Sequence, residues 1–497
     1  MASLSPFSPT IAACAFFALL VAHYIRATSS WRARSRGRPL PPGPRPLPIV
    51  GNLFDIPKST PWAGYRDLCA KYGDIIFFRT LGQAMVILGT PRAVFQLLEK
   101  RSANYSDRPQ SPMFDLIGWE WDFGFMAYGQ TWRKHRRLFW QHFHPGVISK
   151  YHGIQVDVSH RFLSKLYTSP ERLEEHIRHA FAASVLKTVY GVDVAEQGDK
   201  IIEVINAAME GVAEGLTPGA FLVEYFPFLR HIPEWLPGAG FQKKLRRWRD
   251  ASHEMVDIPF AQAKAAMKRC DPTPSIVGTI LGNLAHLEDS AATEEEHLAR
   301  NVAAISYAGG ADTTISTFQT FFLAMSLHPE VVEKAQTELM TVVGPNRLPD
   351  HSDRSDLPYV NAIVKECLRW QNAVPLCIPH AVLEDDEYDG YFIPAGTVVF
   401  PNSWQVAILH DPEMYPQPER FFPERFLKEG KLDQDIRDPA TVAFGFGRRI
   451  CPGRYFAEAA LFIQIARVLH VFDIGRPLDK HGEVIYIEPK MKDGILS

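Results

Sequence analysis

The chain has 497 residues, of which 46% are hydrophobic, 12% aromatic and 22% charged, too apolar for a disordered tail and too charged for a multispan membrane protein. Lys+Arg 53 against Asp+Glu 56 leaves a formal net charge of −3, which excludes a nucleic-acid binder working through phosphate neutralisation. The cysteines are Cys14, Cys69, Cys270, Cys367, Cys377 and Cys451, with no Cys-x-x-Cys pair and no density of a secreted disulfide framework, so a reduced, cytosol-facing body is expected.

In chain order, an apolar stretch from Ile11 to Ile25 comes first, preceded by no Lys or Arg and followed by Arg26, Arg32, Arg34, Arg36 and Arg38. Positive charge behind an apolar run is the pattern of an uncleaved anchor with the body on the cytosolic side. Residues 1–30 are therefore expected to form a single membrane anchor, with a cleaved signal peptide or a buried first helix as the alternatives. Pro39, Pro41, Pro42, Pro44, Pro46 and Pro48 fix the backbone in extended conformations, so residues 31–48 read as a basic, proline-rich spacer. No later linker or repeat interrupts the pattern, and residues 49–497 read as one catalytic domain.

Within that domain, strand-like runs at Ile75–Thr80, Met85–Leu88, Tyr391–Phe400 and Val484–Ile487 are few against helical runs at Gly129–His142, Glu171–Tyr190, Gln242–Lys268 and Pro329–Val343. The fold class is mainly α with small β-sheets. The longest helix is predicted from Thr293, whose hydroxyl can cap the start ahead of Glu296, to about His328 before Pro329. Such a rod is about 50 Å long. It carries Gly309-Gly310 at its centre, where each glycine costs about 1 kcal/mol relative to alanine, so something approaches or bends the helix there.

The strongest local signal is Phe444-Gly-Phe-Gly447-Arg-Arg449-Ile-Cys451-Pro-Gly453, a glycine-rich loop that delivers a cysteine to the start of an apolar helix. Exposed backbone N–H groups and a helix N-terminus stabilise a thiolate, while Pro452 costs no hydrogen bond in a first turn. Alone, Cys451 reads more readily as a buried structural cysteine. Its neighbours in sequence reverse that reading. The loop resembles the haem-binding signature of the cytochrome P-450 superfamily, in which the cysteine is the proximal thiolate ligand of haem iron. By that match Phe444 shields the sulfur, Gly447 makes the tight turn, Arg449 pairs a haem propionate and Gly453 lets the helix approach the macrocycle.

Further segments are similar to the family's motifs and fall in its order. Trp132 and Arg136, in Trp-Arg-Lys-His-Arg-Arg, resemble the early helix that contacts a propionate, although a basic amphipathic face is the rival reading. Ala308-Gly309-Gly310-Ala311-Asp312-Thr313-Thr314 matches the oxygen-activation turn, which assigns Thr313 to proton delivery and Asp312 to its supply. Glu366-Cys-Leu-Arg369 puts a carboxylate and a guanidinium on one helix face. On its own this is an ordinary surface pair. With Arg425, from Pro418-Glu-Arg-Phe-Phe-Pro-Glu-Arg-Phe426, it resembles the family's buried three-charge network. His380, in Ile-Pro-His, stands where the family places another propionate contact.

The resemblance implies a single cytochrome P-450 fold, a triangular, prism-like body with haem between the long central helix and the Cys451 helix. It implies haem b, O2 as co-substrate and two electrons, giving R–H + O2 + 2e⁻ + 2H⁺ → R–OH + H2O. No dinucleotide-binding glycine fingerprint is present, so NADPH is expected to act indirectly, through NADPH–cytochrome P-450 reductase, with cytochrome b5 as a second donor, at the endoplasmic-reticulum membrane. Phe114, Trp119, Trp121, Phe123 and Phe125, and the proline-broken run Phe221–Trp235, suit a lipophilic, aromatic, polycyclic or terpenoid substrate, with core packing an equal reading for the first group. The overall pattern is most similar to fungal secondary-metabolism members such as the O-methylsterigmatocystin oxidoreductase group. A thiolate-haem isomerase or dehydratase, or a haem carrier without enzymatic activity, are the alternatives, and the intact Asp312–Thr313 pair favours oxygenation. Members usually continue beyond the Ser497 end through a strand hairpin, so one pocket wall is expected to be looser here.

Overall fold

Proline sets several of the helix starts. Pro61, Pro329 and Pro358 each stand in the first turn of a helix, over Pro61–Tyr72, Pro329–Val342 and Pro358–Trp370, where the missing N–H breaks no bond. The computed structural model describes residues 9–195, 200–215, 220–236, 238–269, 273–284, 288–404 and 409–491. Cys270 and the C-terminal residues 492–497 lie outside the described residues, as do the first eight.

The N-terminal helix spans Pro9–Ser35 and so takes in Arg32 and Arg34, the first basic residues expected in the spacer. Arg34 pairs with Asp385 at 2.8 Å. The extended segment that follows is stitched to the body by Phe77 N–H donating to Pro42 O and Phe392 N–H donating to Pro39 O, both at 2.8 Å. The expected transmembrane span is not supported: among the described residues, no helix is long and apolar enough to cross a membrane.

Helices dominate and the sheets are small, as the hydrophobic periodicity predicts. The largest sheet has four strands, β1 (Ile75–Thr80), β2 (Gln83–Leu88), β3 (His380–Ala381) and, after a separate hairpin of β4 (Asp386–Tyr388) and β5 (Tyr391–Ile393), β6 (Val398–Pro401), in the order β1-β2-β6-β3. β1 and β2 are antiparallel, with Phe77 opposite Val86; β6 runs parallel to β2, with Val86 opposite Val399, and antiparallel to β3. The predicted strand Tyr391–Phe400 is thus two strands in two sheets, because Pro394 and Gly396, the latter at φ +76°, turn the chain between them. The predicted strand Val484–Ile487 is reduced to one bridge between Leu478 and Val484.

The central helix runs from Asp289 to Leu327, 39 residues without a break. It begins before Thr293, whose hydroxyl instead donates back to Asp289 O at 2.8 Å inside the first turns. Gly309 and Gly310 remain helical, so the rod is not broken at its centre. The central helix packs against helices Gln130–Phe143, Leu173–Tyr190, Phe241–Lys268, Pro358–Trp370 and the cysteine helix, Arg454–Val471. Phe318 anchors this packing. It is fully buried, with ring centroids of Phe162, Phe181, Phe321 and Phe322 at 5.2 to 5.6 Å, separations at which aromatic pairs attract beyond their area burial. Phe318→Ala is expected to cost about 3–5 kcal/mol through lost transfer energy and a residual cavity, measurable as a lower guanidinium unfolding midpoint by far-UV circular dichroism.

Candidate active site

The cysteine loop is shaped by residues far away in sequence. Gly447 stands at φ +56°, and a Cβ there would lie 2.2 Å from Leu98 O, so both backbone conformation and space demand glycine. Its N–H donates to Glu99 Oε1 at 2.8 Å, and the Cys451 N–H closes the loop on Phe444 O at 2.8 Å. Gly453 precedes the cysteine helix, and a Cβ there would meet only Phe139 Cζ at 3.8 Å and Cys451 Sγ at 3.9 Å. Burial pushes the Cys451 thiol above its ordinary value, while backbone N–H groups of Gly453 and Arg454 and the charges of Arg136 and Arg454 oppose it. The expected thiolate stabilisation is therefore present in kind, and in the protein chain alone desolvation outweighs it.

Around this loop the fold gathers guanidinium groups. Arg449 donates from Nε to Ser106 O at 2.7 Å and from its terminal nitrogens to Phe123 O and Met126 O, and its guanidinium carbon lies 4.5 Å from the centre of the Trp132 ring. Burial lowers its pKa to about 10, with Asp107 opposing the shift and Arg136 adding to it. Arg136, on the same helix as Trp132, is half-buried and also lowered to about 10 by burial, with Cys451 opposing the shift and Arg454 adding to it. No hydrogen bond or ion pair engages Arg136 among the described residues.

Arg108, which sequence reasoning missed, completes the group. It is 5% exposed, donates to Gly124 O, Ile378 O and Pro379 O at 2.7 to 2.9 Å, and is lowered to about 9 by burial, with the charge of Arg449 adding to the shift. His380 is buried beside it. Its Nδ1 lies 2.6 Å from Tyr105 O, which only accepts, so Nδ1 carries the proton. Burial, then Arg108, hold the ring well below its ordinary pKa and hence neutral.

This donor set fits a bound haem. Buried cations lacking sufficient anionic partners are costly unless neutralised, and two propionates are anions of the required kind. One thiolate is the only protein ligand the iron needs, and among the described residues no three His, Cys, Asp or Glu side chains cluster to hold a metal by themselves.

On the central helix Gly309 is exposed, with nothing within 4 Å of the place a Cβ would occupy. The Thr313 hydroxyl donates to Gly309 O at 2.9 Å. Asp312, raised by burial against the opposing charge of Arg178, faces a cleft of about 310 Å³ lined also by Asn206, Glu210 and Val212. The pair thus stands between open space at Gly309 and a cleft bordered by Arg178, Asn206 and Glu210.

The three-charge network forms as expected. Arg369 makes a two-pronged contact with Glu366, Nε to Oε2 at 2.6 Å and Nη2 to Oε1 at 2.8 Å, with both side chains 0% exposed. Arg425 Nε reaches Glu366 Oε1 at 3.2 Å and the Phe422 N–H donates to the same oxygen at 2.8 Å. Arg369 also donates to Leu409 O and Arg420 O, and Arg425 to Pro416 O, so the network ties helix Pro358–Trp370 to the segment leading into the cysteine loop.

The family model for cytochrome P450 matches residues 41–491. The chain belongs to the cytochrome P450 family. This P450 is 41% identical over 96% of its length to cytochrome P450 monooxygenase COX1 of Coprinopsis cinerea, covering 93% of that protein. It is 40% identical to tryptamine 4-monooxygenase of Psilocybe cyanescens, over 93% of this chain and 91% of the relative, and 38% identical to monooxygenase ppsD of Aspergillus oryzae, over 92% and 87%. The P450 is a haem-thiolate monooxygenase by this kinship. Replacing Glu366 by Gln strands two desolvated guanidinium groups, and a loss of about 3–5 kcal/mol is expected, read as a lower urea midpoint and a smaller haem-retaining fraction on gel filtration.

Proposed function

We propose that this monooxygenase inserts one oxygen atom into a lipophilic, aromatic small molecule, drawing on NADPH through a reductase. The observation that carries the reading is the single cysteine loop ringed by Arg108, Arg136, Arg449 and His380 and paired with the Gly309–Thr313 turn. Haem held by Cys451 supplies activation of O2 and transfer of one oxygen atom to carbon, with water as the other product. Arg136, Arg449, Trp132 and His380 would hold its propionates, and Phe444, Gly447 and Gly453 would shape the sulfur side. Gly309 and Gly310 would leave room above.

The chain's own part is proton control and substrate placement. Asp312, its carboxyl held toward the protonated form by burial, takes a proton from the cleft at Arg178 and Asn206 and passes it to Thr313 Oγ1, which offers it toward the open side of the helix. The rings of Phe114 and Phe125 lie tilted 4.7 Å apart, and Trp119 and Trp121 stack 4.9 Å apart, in the segment proposed to orient an aromatic substrate. The relative named for tryptamine is consistent with a substrate of that class. Arg133, Lys134 and Arg137 lie on the exposed side of the Trp132 helix, a surface suited to the acidic face of NADPH–cytochrome P450 reductase or cytochrome b5. Leu222, Phe228 and Trp235 are 66 to 80% exposed, and with the N-terminal helix they support attachment to the endoplasmic-reticulum membrane, body on the cytosolic side.

The carbon-monoxide difference spectrum of the dithionite-reduced protein tests the ligand: a strongly red-shifted Soret band is expected, and its replacement by the thiol-type band would refute Cys451 as thiolate ligand. Cys451→Ala is expected to abolish that band and turnover. Thr313→Ala is expected to keep the band while releasing most consumed O2 as hydrogen peroxide in a reductase-coupled assay; unchanged coupling would remove Thr313 from proton delivery.

A further inference from the structure

Away from the oxygen-activating turn, three side chains converge where the Trp132 helix crosses the early part of the central helix. Asn301 is 2% exposed and His135 4% exposed, and His297 lies one turn before Asn301 on the solvent side. Asn301 Nδ2 lies 3.4 Å from Nε2 of His135 and 3.4 Å from Nε2 of His297. His135 Nδ1 is 2.8 Å from Thr131 O. A carbonyl only accepts, so Nδ1 carries the proton and Nε2 presents a bare lone pair to Asn301. Burial holds this ring below its ordinary pKa, against the Thr131 bond.

Two features are unexplained by a simple hydrogen-bonded cluster. First, both contacts are long: amide-to-imidazole hydrogen bonds centre near 2.9–3.0 Å. Second, Asn301 Oδ1 is buried and has no hydrogen-bond partner, an omission that costs about 1–3 kcal/mol. Rotating the carboxamide exchanges its oxygen and nitrogen, and coordinates alone do not distinguish them. Oδ1 then stands 3.4 Å from each of two imidazole nitrogens, so the amide oxygen and both rings can offer electron pairs to one guest. A cation satisfies these three acceptors, while the amide N–H groups take the place of the partnerless oxygen. The edge of a tetrahedron with metal–ligand bonds of about 2.1 Å is about 3.4 Å.

We propose that His135, His297 and Asn301 form a binding site for a first-row divalent transition ion, with Zn²⁺ as the ion that fits the donor set. Two imidazole nitrogens and an amide oxygen suit zinc better than magnesium or calcium. The His297–Asn301 spacing of four residues places both donors on one helix face. The Thr131 carbonyl orients His135 from behind, as partners of metal-bound histidines do. Exposed His297 provides the entry path and leaves a fourth position for water. The nearby charge of Lys134 is matched by Glu294 at 2.5 Å, so it does not stand unopposed against the ion. Occupancy pins the helix that bears Trp132 and Arg136 to the rod that bears Asp312, about 16 Å along from Asn301.

The test is isothermal titration of the haem-loaded, full-length protein with ZnCl2 in chelator-free buffer at neutral pH, together with zinc-edge X-ray absorption. One equivalent with micromolar affinity is expected, with nitrogen and oxygen neighbours at about 2.0–2.1 Å. His297→Ala, at an exposed position that does not threaten folding, is expected to weaken binding about tenfold or more, whereas His253→Ala, on helix Phe241–Lys268 beside Glu120, leaves it unchanged. Absence of stoichiometric uptake, or unchanged affinity in His297→Ala, overturns the proposal, the latter by showing that zinc sits elsewhere.

Discussion

Positive charge held out of water is the constraint on which this molecule turns. Arg108, Arg136 and Arg449 lie close enough to lower one another's proton affinity or to be lowered by burial, and backbone carbonyls alone compensate only part of their lost hydration. The carbonyls come from Ser106, Phe123, Gly124, Met126, Ile378 and Pro379. Two connecting segments and the approach to strand β3 are therefore folded around guanidinium groups. The Glu366 network does the same for the opposite flank, where one carboxylate answers two arginines. Such buried ion networks add little net stability relative to apolar packing, but they penalise every arrangement that leaves a partner out.

What could be read from the sequence was what is local. Glu366 and Arg369 are three residues apart, and helical geometry alone puts them on one face. Cys451, Gly447 and Gly453 are spaced within one loop, and the turn at Gly309–Thr314 within two helical turns. Arg425 became legible through its own segment. Arg108 did not, because nothing in Ser-Asp-Arg-Pro tells that the guanidinium will collect carbonyls 270 residues downstream. The Thr293 cap failed for a physical reason: a threonine hydroxyl also bonds back to the carbonyl four residues earlier, and Asp289 supplied one. The split of Tyr391–Phe400 was signalled by Pro394 and Gly396, whose turn chemistry outweighs the β-propensity around them.

The apolar N-terminal stretch teaches a different lesson. Phe17 is 59% exposed and Leu19 69%, yet among the described residues no helix is long and apolar enough to cross a bilayer. Hydrophobic exposure and spanning length are separate quantities.

One feature of the cysteine loop reaches into biosynthesis. Gly447 is held by Glu99 across 348 residues, and Arg449 by Ser106 across 343. At about 5–20 residues per second, the segment around Leu98 waits on the ribosome for many seconds before the chain that needs it is made. The mould is therefore made long before the loop that it shapes. Cofactor capture waits for the cysteine loop, and until then the early helices depend on their own packing, or on chaperones, to keep their carbonyls and arginines from finding the wrong partners.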